Sequence, residues 1–502
     1  MESHDRVTAP RDTALPWHTA APGVEFPGYD AYQITAGIAH IGVGNFHRAH
    51  QARYLDQILH RPGQQTWGIL GIGVGDSDAS RAKAAAFQRQ GGRYTLTEFA
   101  PDGSHQSRVI GAIHRYLHAP ANPEAMVAAL ADPRLRIATL TITEGGYLID
   151  PGSGAVPGDH PDLLADKRGE RPTVFGLLLR ALAHRREHGI DPFTIVSCDN
   201  LRHNGDVTRA ALIGAAAVLN PDLTEWIHDE VAFPNSMVDR IVPAVTETER
   251  ERLNQLTGID DAVPVMSESY LQWVLEDTFP TGRPELEAVG VEFVEDISTH
   301  ETMKGRILNA AHMLLSFPAL LAGYRLVHQA LADPLLRGFA ERFLHDDVLP
   351  ILDAPGGVSL PTYVDSVLER FSNPAVGDQW ARIATDGTTK IAVFHTATIT
   401  DLLARGGDTR REAFLIASYQ RFLTGQDDDG ASFPVGEPTL SAADLAQLRN
   451  SDGLGILRAA PFAPMNLTQH PGFVRNFREM RDSIHQRGVL ATIREQQLAD
   501  RL

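Results

Sequence analysis

The sequence predicts an α/β protein in which a doubly wound parallel-sheet domain is followed by a mainly α-helical domain. Apolar strand patterns alternate with helical patterns in the first part of the chain, and a glycine-rich turn joins the first strand to the first helix. Beyond about residue 297, Leu- and Ala-rich segments replace the strand patterns. The length of 502 residues also exceeds the size at which single cores stop growing, about 250–300 residues, so several domains are expected.

The first elements form one βαβ unit. A short apolar strand over Gly37–Gly42 runs into the turn Gly42-Val-Gly44, a helical pattern covers His50–Leu59, and a second apolar strand covers Trp67–Gly73. The alternation continues with strands at Arg136–Thr143 and Phe193–Ser197 and a helix at Thr173–His188 between them. This order predicts a Rossmann-type sheet.

Three segments follow from these patterns. Residues 1–33 are a Pro-rich N-terminal extension, residues 34–295 a dinucleotide-binding Rossmann-type domain, and residues 296–502 a mainly α-helical substrate domain. The helical patterns of the last segment cover 300–323, 325–346, 362–371, 394–405, 410–424, 441–449 and 472–499.

Composition excludes several classes of function. The net charge of −18 argues against nucleic-acid and anionic-membrane partners, which bind basic surfaces. A single cysteine, Cys198, indicates a reducing compartment. The first thirty residues lack an apolar signal region, and no segment reaches the about 20 apolar residues of a membrane span. A soluble cytoplasmic protein is therefore expected.

The turn Gly42-Val-Gly44 begins a dinucleotide fingerprint, in which the first glycine makes the turn and the second admits a pyrophosphate. The third glycine is missing, because His47 stands there, and Arg48 could add charge to the site. Asp78 lies where an acid would bond the ribose hydroxyls and reject a 2′-phosphate, which favours NAD. A plain tight turn, and a helix-capping role for Asp76 and Asp78, remain alternatives.

The tract around Lys304 predicts the catalytic chemistry. Lys304, Asn309 and His312 would lie within an arc of about 140° on a regular α-helix, where they could take a proton, polarise a carbonyl and orient a hydroxyl. Asn200 follows one strand, and the pair Thr143-Glu144 follows another, at the sheet edge where such folds bind ligands. The alternatives are a solvated helix edge and ordinary loop residues.

A metal site is not expected. The chain has 21 histidines, but no H-E-x-x-H motif and no cysteine ligand pattern. A serine hydrolase is expected even less, because the chain lacks G-x-S-x-G.

Five sequence blocks resemble the mannitol 2-dehydrogenase family of polyol-specific long-chain dehydrogenases/reductases. They are Gly42-Val-Gly-Asn-Phe-His-Arg-Ala-His50, Thr141-Ile-Thr-Glu-Gly-Gly-Tyr147, Ser197-Cys-Asp-Asn200, Phe233-Pro-Asn-Ser-Met-Val-Asp-Arg-Ile241 and Lys304…Asn309…His312. The resemblance extends from about residue 36 to about residue 490, in the family's own order.

The resemblance implies metal-independent hydride transfer in a cleft between the two domains, often by a monomer. It implies that Lys304 is the general base, that Asn200 and Asn309 hold the reacting oxygen, and that His312 binds substrate. Further implied roles are lysine positioning by Asp239, proton release through Glu301, and substrate hydroxyl contacts from Arg382 and Lys390. Cofactor binding is expected at Gly42, Gly44, Asn45, Phe46, Arg48, Asp78, Thr143 and Glu144.

Two positions depart from the family pattern. Ser77 reduces the acidic pair that selects the cofactor, and the segment after Lys390 lacks prolines often found there. The expected reaction is NAD-dependent oxidation of D-mannitol to D-fructose and its reverse. A fructuronate or tagaturonate reductase, an arabinitol dehydrogenase and a non-catalytic nucleotide-binding protein remain alternatives.

Overall fold

The structure is a computed structural model that describes residues 17–31, 33–150, 153–438, 440–450, 453–459 and 462–499. The chain divides into two compact units. The first extends to Ile297 apart from Pro101–Gly103, and the second comprises that short segment and the chain from Ser298 onward.

The first unit contains a five-stranded sheet in the order β5–β2–β1–β6–β7. Its strands are β1 (Ala36–Ile41), β2 (Gly68–Gly73), β5 (Ile113–His118), β6 (Ile137–Leu140) and β7 (Thr194–Ser197). Every neighbouring pair is parallel, and the strand order reverses between β1 and β6. This is the predicted doubly wound Rossmann-type sheet, and its ligand crevice lies where the order reverses.

Two smaller sheets complete the first unit. One has the order β4–β3–β9 and the other β11–β10–β8. Their strands are β3 (Tyr94–Phe99), β4 (His105–Ile110), β8 (Ser236–Asp239), β9 (Val265–Glu268), β10 (Gln272–Glu276) and β11 (Glu292–Val294). The sequence analysis did not predict these strands. Their partners stabilise them more than their own residue patterns do.

Helices cover both faces of the main sheet, as the alternating core shows. Ile38 and Ile69 pack in one apolar cluster, whereas the next residues along the strands, Ala39 and Leu70, pack in the other. The helices of this unit are α1 (Asn45–Ala49), α2 (Gln51–Ile58), α3 (Asp78–Arg89), α4 (Pro123–Ala131), α5 (Pro161–Lys167), α6 (Val174–Glu187), α7 (Asn204–Leu219), α8 (Thr224–Glu230) and α9 (Glu247–Thr257).

The N-terminal extension expected at 1–33 lies in part outside the described residues. Its described part is bonded to the first unit by backbone groups. The amide of Ala21 donates to the carbonyl of Thr257 at 2.7 Å, and the amide of Glu25 donates to the carbonyl of Ser107 at 3.0 Å. This part of the extension therefore belongs to the folded unit.

The second unit is helical, as predicted. Its described residues form α10 (Ser298–Lys304), α11 (Ala310–Leu321), α12 (Val327–Leu331), α13 (Pro334–Arg342), α14 (Leu360–Phe371), α15 (Trp380–Ala384), α16 (Gly387–Arg405), α17 (Arg410–Phe422), α18 (Ala442–Asn450), α19 (Pro471–Arg487) and α20 (Val489–Ala499). Two π-helical segments, Gly305–Asn309 and Phe343–Val348, interrupt these helices. Among the described residues, no helix is long and apolar enough to cross a membrane.

Candidate active site

The glycine-rich turn follows β1 at the reversal point of the sheet. Gly42 has φ +95°, and a Cβ there would lie 1.9 Å from the carbonyl oxygen of Thr141, so only glycine fits. A Cβ at Gly44 would meet no protein atom nearer than the Gly42 carbonyl oxygen at 3.8 Å. Protein packing therefore does not require the second glycine, and the open space beside its backbone suits an approaching pyrophosphate.

Arg48 supports this turn from the protein interior. Its side chain is buried and donates to Asn45 Oδ1 at 2.7 Å, to the Gly44 carbonyl at 3.3 Å and to the Val263 carbonyl. The guanidinium carbon also lies 5.2 Å from the centre of the Tyr94 ring. Arg48 therefore donates its hydrogen bonds to protein acceptors, and these bonds hold the glycine-rich turn in place.

Lys83 is a cationic neighbour of the turn that the sequence analysis missed. Its Nζ donates to the carbonyl of Val43, between the two glycines, at 2.8 Å. Burial lowers the pKa of its ammonium, and the charge of Arg48 acts in the same direction. The rarity of lysine in the sequence could have drawn attention to Lys83, because the chain has only four lysines: Lys83, Lys167, Lys304 and Lys390.

The expected ribose site lies at the carboxyl end of β2. Ser77 caps α3 by accepting from the amide of Ser80 at 3.2 Å, and Asp78 is the fully exposed first residue of that helix. Arg81 reaches back to both acids, at 2.6 Å from Asp76 and 2.8 Å from Asp78. The site thus combines acceptors for hydroxyls with a cation held between two carboxylates.

The loop after β6 holds Thr143 in a strained conformation. Thr143 has φ 63° and ψ 163°, a region that is essentially restricted to glycine, so this β-branched residue stores strain. The Asp199 carboxylate accepts from the amides of Ile142 and Thr143 at 2.9 and 3.0 Å, and from the Tyr147 hydroxyl at 2.7 Å. Asp199 therefore joins the loops that follow β6 and β7.

Burial raises the pKa of the Asp199 carboxyl, while its three donors act in the opposite direction.

The neighbouring Asn200 and Glu144 are exposed at the same sheet edge. Asp239 ends β8 and is buried. The fold thus brings the ends of β1, β6 and β7 together with the residues predicted there.

The predicted catalytic residues of the second unit lie around a π-helical segment. Lys304 ends α10, Asn309 ends the π-segment, and His312 belongs to the first turn of α11. A turn closed by i→i+5 bonds holds about one residue more than an α-turn, so Lys304 and Asn309 are about one turn apart. The arc that they share is therefore narrower than the about 140° expected for a regular α-helix.

The side chains of Lys304 and His312, on either side of the π-helical segment, are both buried. Lys304 and His312 are each 8% exposed, and the His312 ring stacks on Phe371 with centroids 3.7 Å apart. Trp380 meets the same imidazole edge-on at 6.2 Å. Glu301 lies one helical turn before Lys304 in α10. These contacts restrict the orientation of the imidazole ring.

The two cations predicted to contact substrate are already engaged within the second unit. Arg382 forms a two-pronged pair with Asp378, at 2.9 Å from Oδ1 and 2.7 Å from Oδ2. Burial alone would raise the pKa of Asp378, but the Arg382 guanidinium, with a smaller contribution from His312, holds it below its ordinary value. Lys390 Nζ donates to the carbonyl of Ile383 at 3.0 Å.

Metal-ligating side chains form no group of three or more within the described ranges. Cys198 is buried, and burial raises the pKa of its thiol, so it is no activated nucleophile.

Comparison with known families matches nearly the whole chain. The model of the mannitol dehydrogenase Rossmann domain covers residues 36–288, and that of the mannitol dehydrogenase C-terminal domain covers residues 296–485. The chain belongs to the mannitol dehydrogenase family. This confirms the resemblance inferred from the five sequence blocks.

Several relatives of this family member are similar over almost their full length. A polyol:NADP oxidoreductase of Gluconobacter oxydans (strain 621H) is 44% identical over 94% of this chain and 97% of its own. A mannitol 2-dehydrogenase of Cereibacter sphaeroides is 43% identical over 83% of this chain and 87% of its own.

Two solved structures share the fold. The substrate-free D-sorbitol dehydrogenase has a TM-score of 0.86 and 42% identity, and covers 94% of this chain and 98% of its own. The Pseudomonas fluorescens mannitol 2-dehydrogenase ternary complex with NAD and D-mannitol has a TM-score of 0.87 and 38% identity. The match covers 96% of this chain and 98% of the Pseudomonas fluorescens chain.

Proposed function

We propose that this protein oxidises a secondary alcohol of a polyol to a ketose, D-mannitol to D-fructose, and catalyses the reverse reduction, with NAD and without a metal ion. Family membership supports a polyol dehydrogenase, and a relative at 43% identity is a mannitol 2-dehydrogenase. We assign cofactor binding to residues 34–295, substrate binding to residues 296–502, and a monomer as the active species.

The arrangement around Lys304 carries this proposal. An alcohol releases hydride readily only while its hydroxyl proton is leaving, so a base is needed. Lys304 is 8% exposed, and desolvation of an amine favours its neutral form, which can accept a proton. Asn309 and Asn200 would donate amide hydrogens to the developing alkoxide, and His312 would orient a hydroxyl.

The remaining predicted residues support this base. Asp239 would position the lysine, and Glu301, one turn before Lys304, would accept the proton that the lysine releases. Arg382 and Lys390 would read substrate hydroxyls. These assignments rest on the family motifs and on the positions of the residues in the fold.

The cofactor is proposed to lie at the end of the main sheet. Gly44 leaves room for a pyrophosphate, Asp78 offers acceptors to ribose hydroxyls, and Thr143 and Glu144 border the same edge. Gly42, Asn45, Phe46 and Arg48 form or support the turn. When bound, the nicotinamide supplies the hydride acceptor.

NAD is favoured over NADP because both carboxylates at the ribose site would repel a 2′-phosphate. Arg81 is the one feature there that suits a phosphate, and the Gluconobacter relative is a polyol:NADP oxidoreductase. We propose that repulsion from the two carboxylates determines the cofactor preference as long as Asp76 and Asp78 both bind Arg81.

A polyol is favoured over a hexuronate by the engagement of Arg382. A uronate carboxylate needs an available cation, whereas Nε and one terminal nitrogen of Arg382 already bind the two carboxylate oxygens of Asp378. Among polyols, D-sorbitol is a second candidate, because a solved structure at 42% identity is a D-sorbitol dehydrogenase.

Substrate assays test the reaction directly. NADH oxidation should be followed with D-fructose and D-fructuronate, and NAD reduction with D-mannitol, D-sorbitol and D-arabinitol, each with and without EDTA. Fast turnover of D-fructose and D-mannitol, unchanged by EDTA, is expected. Turnover of the uronate alone, or loss of activity that zinc restores, would contradict the proposal.

Lys304→Ala tests the base. We expect kcat to fall by about 10³-fold or more, with little change in the NADH dissociation constant measured by fluorescence, because the change removes proton transfer but no cofactor contact. Lys167→Ala, at an exposed lysine, is the matched control and should retain wild-type activity. A near-normal rate in Lys304→Ala would assign the base elsewhere.

A further inference from the structure

The π-helical segment Gly305–Asn309 needs support from outside its own helix. Segments with i→i+5 bonds are rare, occur mostly as single turns inside α-helices, and are frequent at functional sites. The register of backbone hydrogen bonds changes at their ends, so a carbonyl near such a junction is stabilised by an additional donor. Such a donor lies on α16.

Helix α16 contacts the π-segment at two points. Arg306, inside the segment, donates to Asp401 at 2.8 Å. At the other end, His395 Nε2 lies 3.1 Å from the carbonyl oxygen of Ala310, the residue directly after Asn309. One rigid helix therefore spans the segment that separates Lys304 from Asn309.

The hydrogen-bond geometry defines the state of His395. A carbonyl only accepts, so Nε2 carries a hydrogen. Nδ1 lies 3.1 and 2.9 Å from the two carboxyl oxygens of Glu412, and one further proton must lie between them, on the nitrogen or on the carboxyl. In either form the pair has no net charge and directs one donor at Ala310.

The pair is completely buried, so removing its polar groups from water costs free energy that their hydrogen bond only partly offsets. His395 and Glu412 are each 0% exposed. Buried ionic or strongly hydrogen-bonded pairs contribute little compared with apolar packing, and their best-attested use is to specify one geometry. Arg411, next to Glu412 in α17, binds Asp346 and Asp347 at 3.0 and 2.7 Å. These contacts connect α17 to the second π-segment.

We propose that His395 and Glu412 are positioning residues that hold the π-segment and thereby set the register between Lys304 and Asn309. This inference rests on the proposed role of Lys304 as the base. Without the donor from His395, the segment can return to regular α-helical bonding, which turns Asn309 away from the face that Lys304 occupies.

His395→Leu tests the proposal, because leucine fills a similar volume and removes the donor to the Ala310 carbonyl. We expect kcat for D-fructose reduction to fall about 100-fold, as expected for a misplacement of about 1 Å, while the NADH dissociation constant stays unchanged. His395→Gln, whose amide can still donate to the carbonyl, should recover most of the rate. His345→Gln, at an exposed histidine of the second π-segment, is the matched control.

A second measurement does not depend on turnover. Acetic anhydride labels neutral amines, and with only four lysines in the chain each modified peptide can be resolved by mass spectrometry. The pH dependence of Lys304 labelling, with the exposed Lys167 as the internal reference, should shift in His395→Leu and Glu412→Gln but not in His345→Gln. A merely structural role would lower the unfolding temperature without this shift.

The outcomes separate the two proposals. If folded His395→Leu has a kcat within twofold of wild type and an unshifted Lys304 labelling profile, the positioning role is wrong. If His395→Leu does not fold, Asp401→Asn tests the partly exposed partner of Arg306, with a several-fold loss in kcat expected and an unchanged rate contradicting the proposal. If Lys304→Ala itself retains activity, the proposed function fails first, whatever His395 does.

Discussion

Lysine is scarce in this chain, and its few positions are informative. Four of the 45 lysines and arginines are lysines, and we assign two of these, Lys304 and Lys390, to the proposed base and a proposed substrate contact. Arginine stays charged at every relevant pH, so it cannot replace a lysine that serves as a base. A third, Lys83, bonds the glycine-rich turn. Three of the four lysines thus lie in the segments proposed to bind cofactor or substrate or to react with it.

The proposed preference for NAD over NADP rests on single side chains at the end of β2. Asp78→Ala should raise the ratio of kcat/KM with NADP to kcat/KM with NAD by about tenfold, because one repelling carboxylate is lost and Arg81 keeps only Asp76. Adding Arg81→Ala should remove this gain. Steady-state kinetics with both cofactors check it.

The matched control for this change is Asp162→Ala, an exposed acid in the first turn of α5. It should leave the cofactor ratio unchanged. A ratio in Asp78→Ala equal to that of wild type would mean that the ribose contact is made by another residue.

Elements act at the next scale, where the loop after β6 stores strain beside the proposed cofactor site. Its Thr143 has a conformation suited to glycine, and Asp199, in the loop after β7, holds that conformation. Strain that persists at such a place is usually maintained by the surrounding contacts and linked to function. Stability and activity should therefore respond in opposite directions to changes at this residue.

Thr143→Gly should raise the free energy of unfolding of the first unit by about 1 kcal/mol, because relief of about 1–3 kcal/mol of strain exceeds the entropic cost of glycine. The same change should lower kcat/KM about tenfold, since it removes a side chain that borders the proposed cofactor site and frees the loop that carries it. Thermal unfolding and steady-state kinetics measure the two effects.

Thr143→Ser is the conservative comparison, because it keeps both the hydroxyl and a side chain at positive φ. It should stay close to wild type in both assays. An unfolding temperature that falls in Thr143→Gly would show that the loop is not strained in the intact protein.

The π-segment illustrates why element geometry was only partly predictable. The spacing of Lys304, Asn309 and His312 indicated one helix face, and the structure places them in one helical run. The i→i+5 turn between them has no residue signature, because its contacts come from Asp401 and His395, up to 95 residues away in sequence. Helical periodicity carries no information about partners at that separation.

At the scale of the whole molecule, buried histidines couple stability to pH. Burial lowers the pKa of His40 to about 3 and lowers that of His47 well below its usual value. The unfolded chain, in which histidine titrates near about 6.5, then binds more protons than the folded chain, so stability falls as pH decreases below about 6.5. The loss for each such histidine is about 1.4 kcal/mol per pH unit.

Comparison of variants isolates this effect from buried carboxyls, which also titrate. Unfolding temperatures at pH 7.5 and pH 5 should differ less in His40→Asn than in wild type, and His228→Asn, at an exposed histidine, should not change the difference. An equal difference in His40→Asn and wild type would contradict the assignment.

The sequence alone determined the α/β and helical organisation and the family, and it nominated the candidate site residues, because alternation, helical periodicity and motif spacing are local properties of the chain. The tertiary structure alone decided that Gly42 is required by the Thr141 carbonyl, that Arg48 faces the interior, and that Lys83 bonds the turn. These depend on groups that are 40 to 215 residues apart in sequence and meet only in the folded chain, where sequence spacing gives no distance.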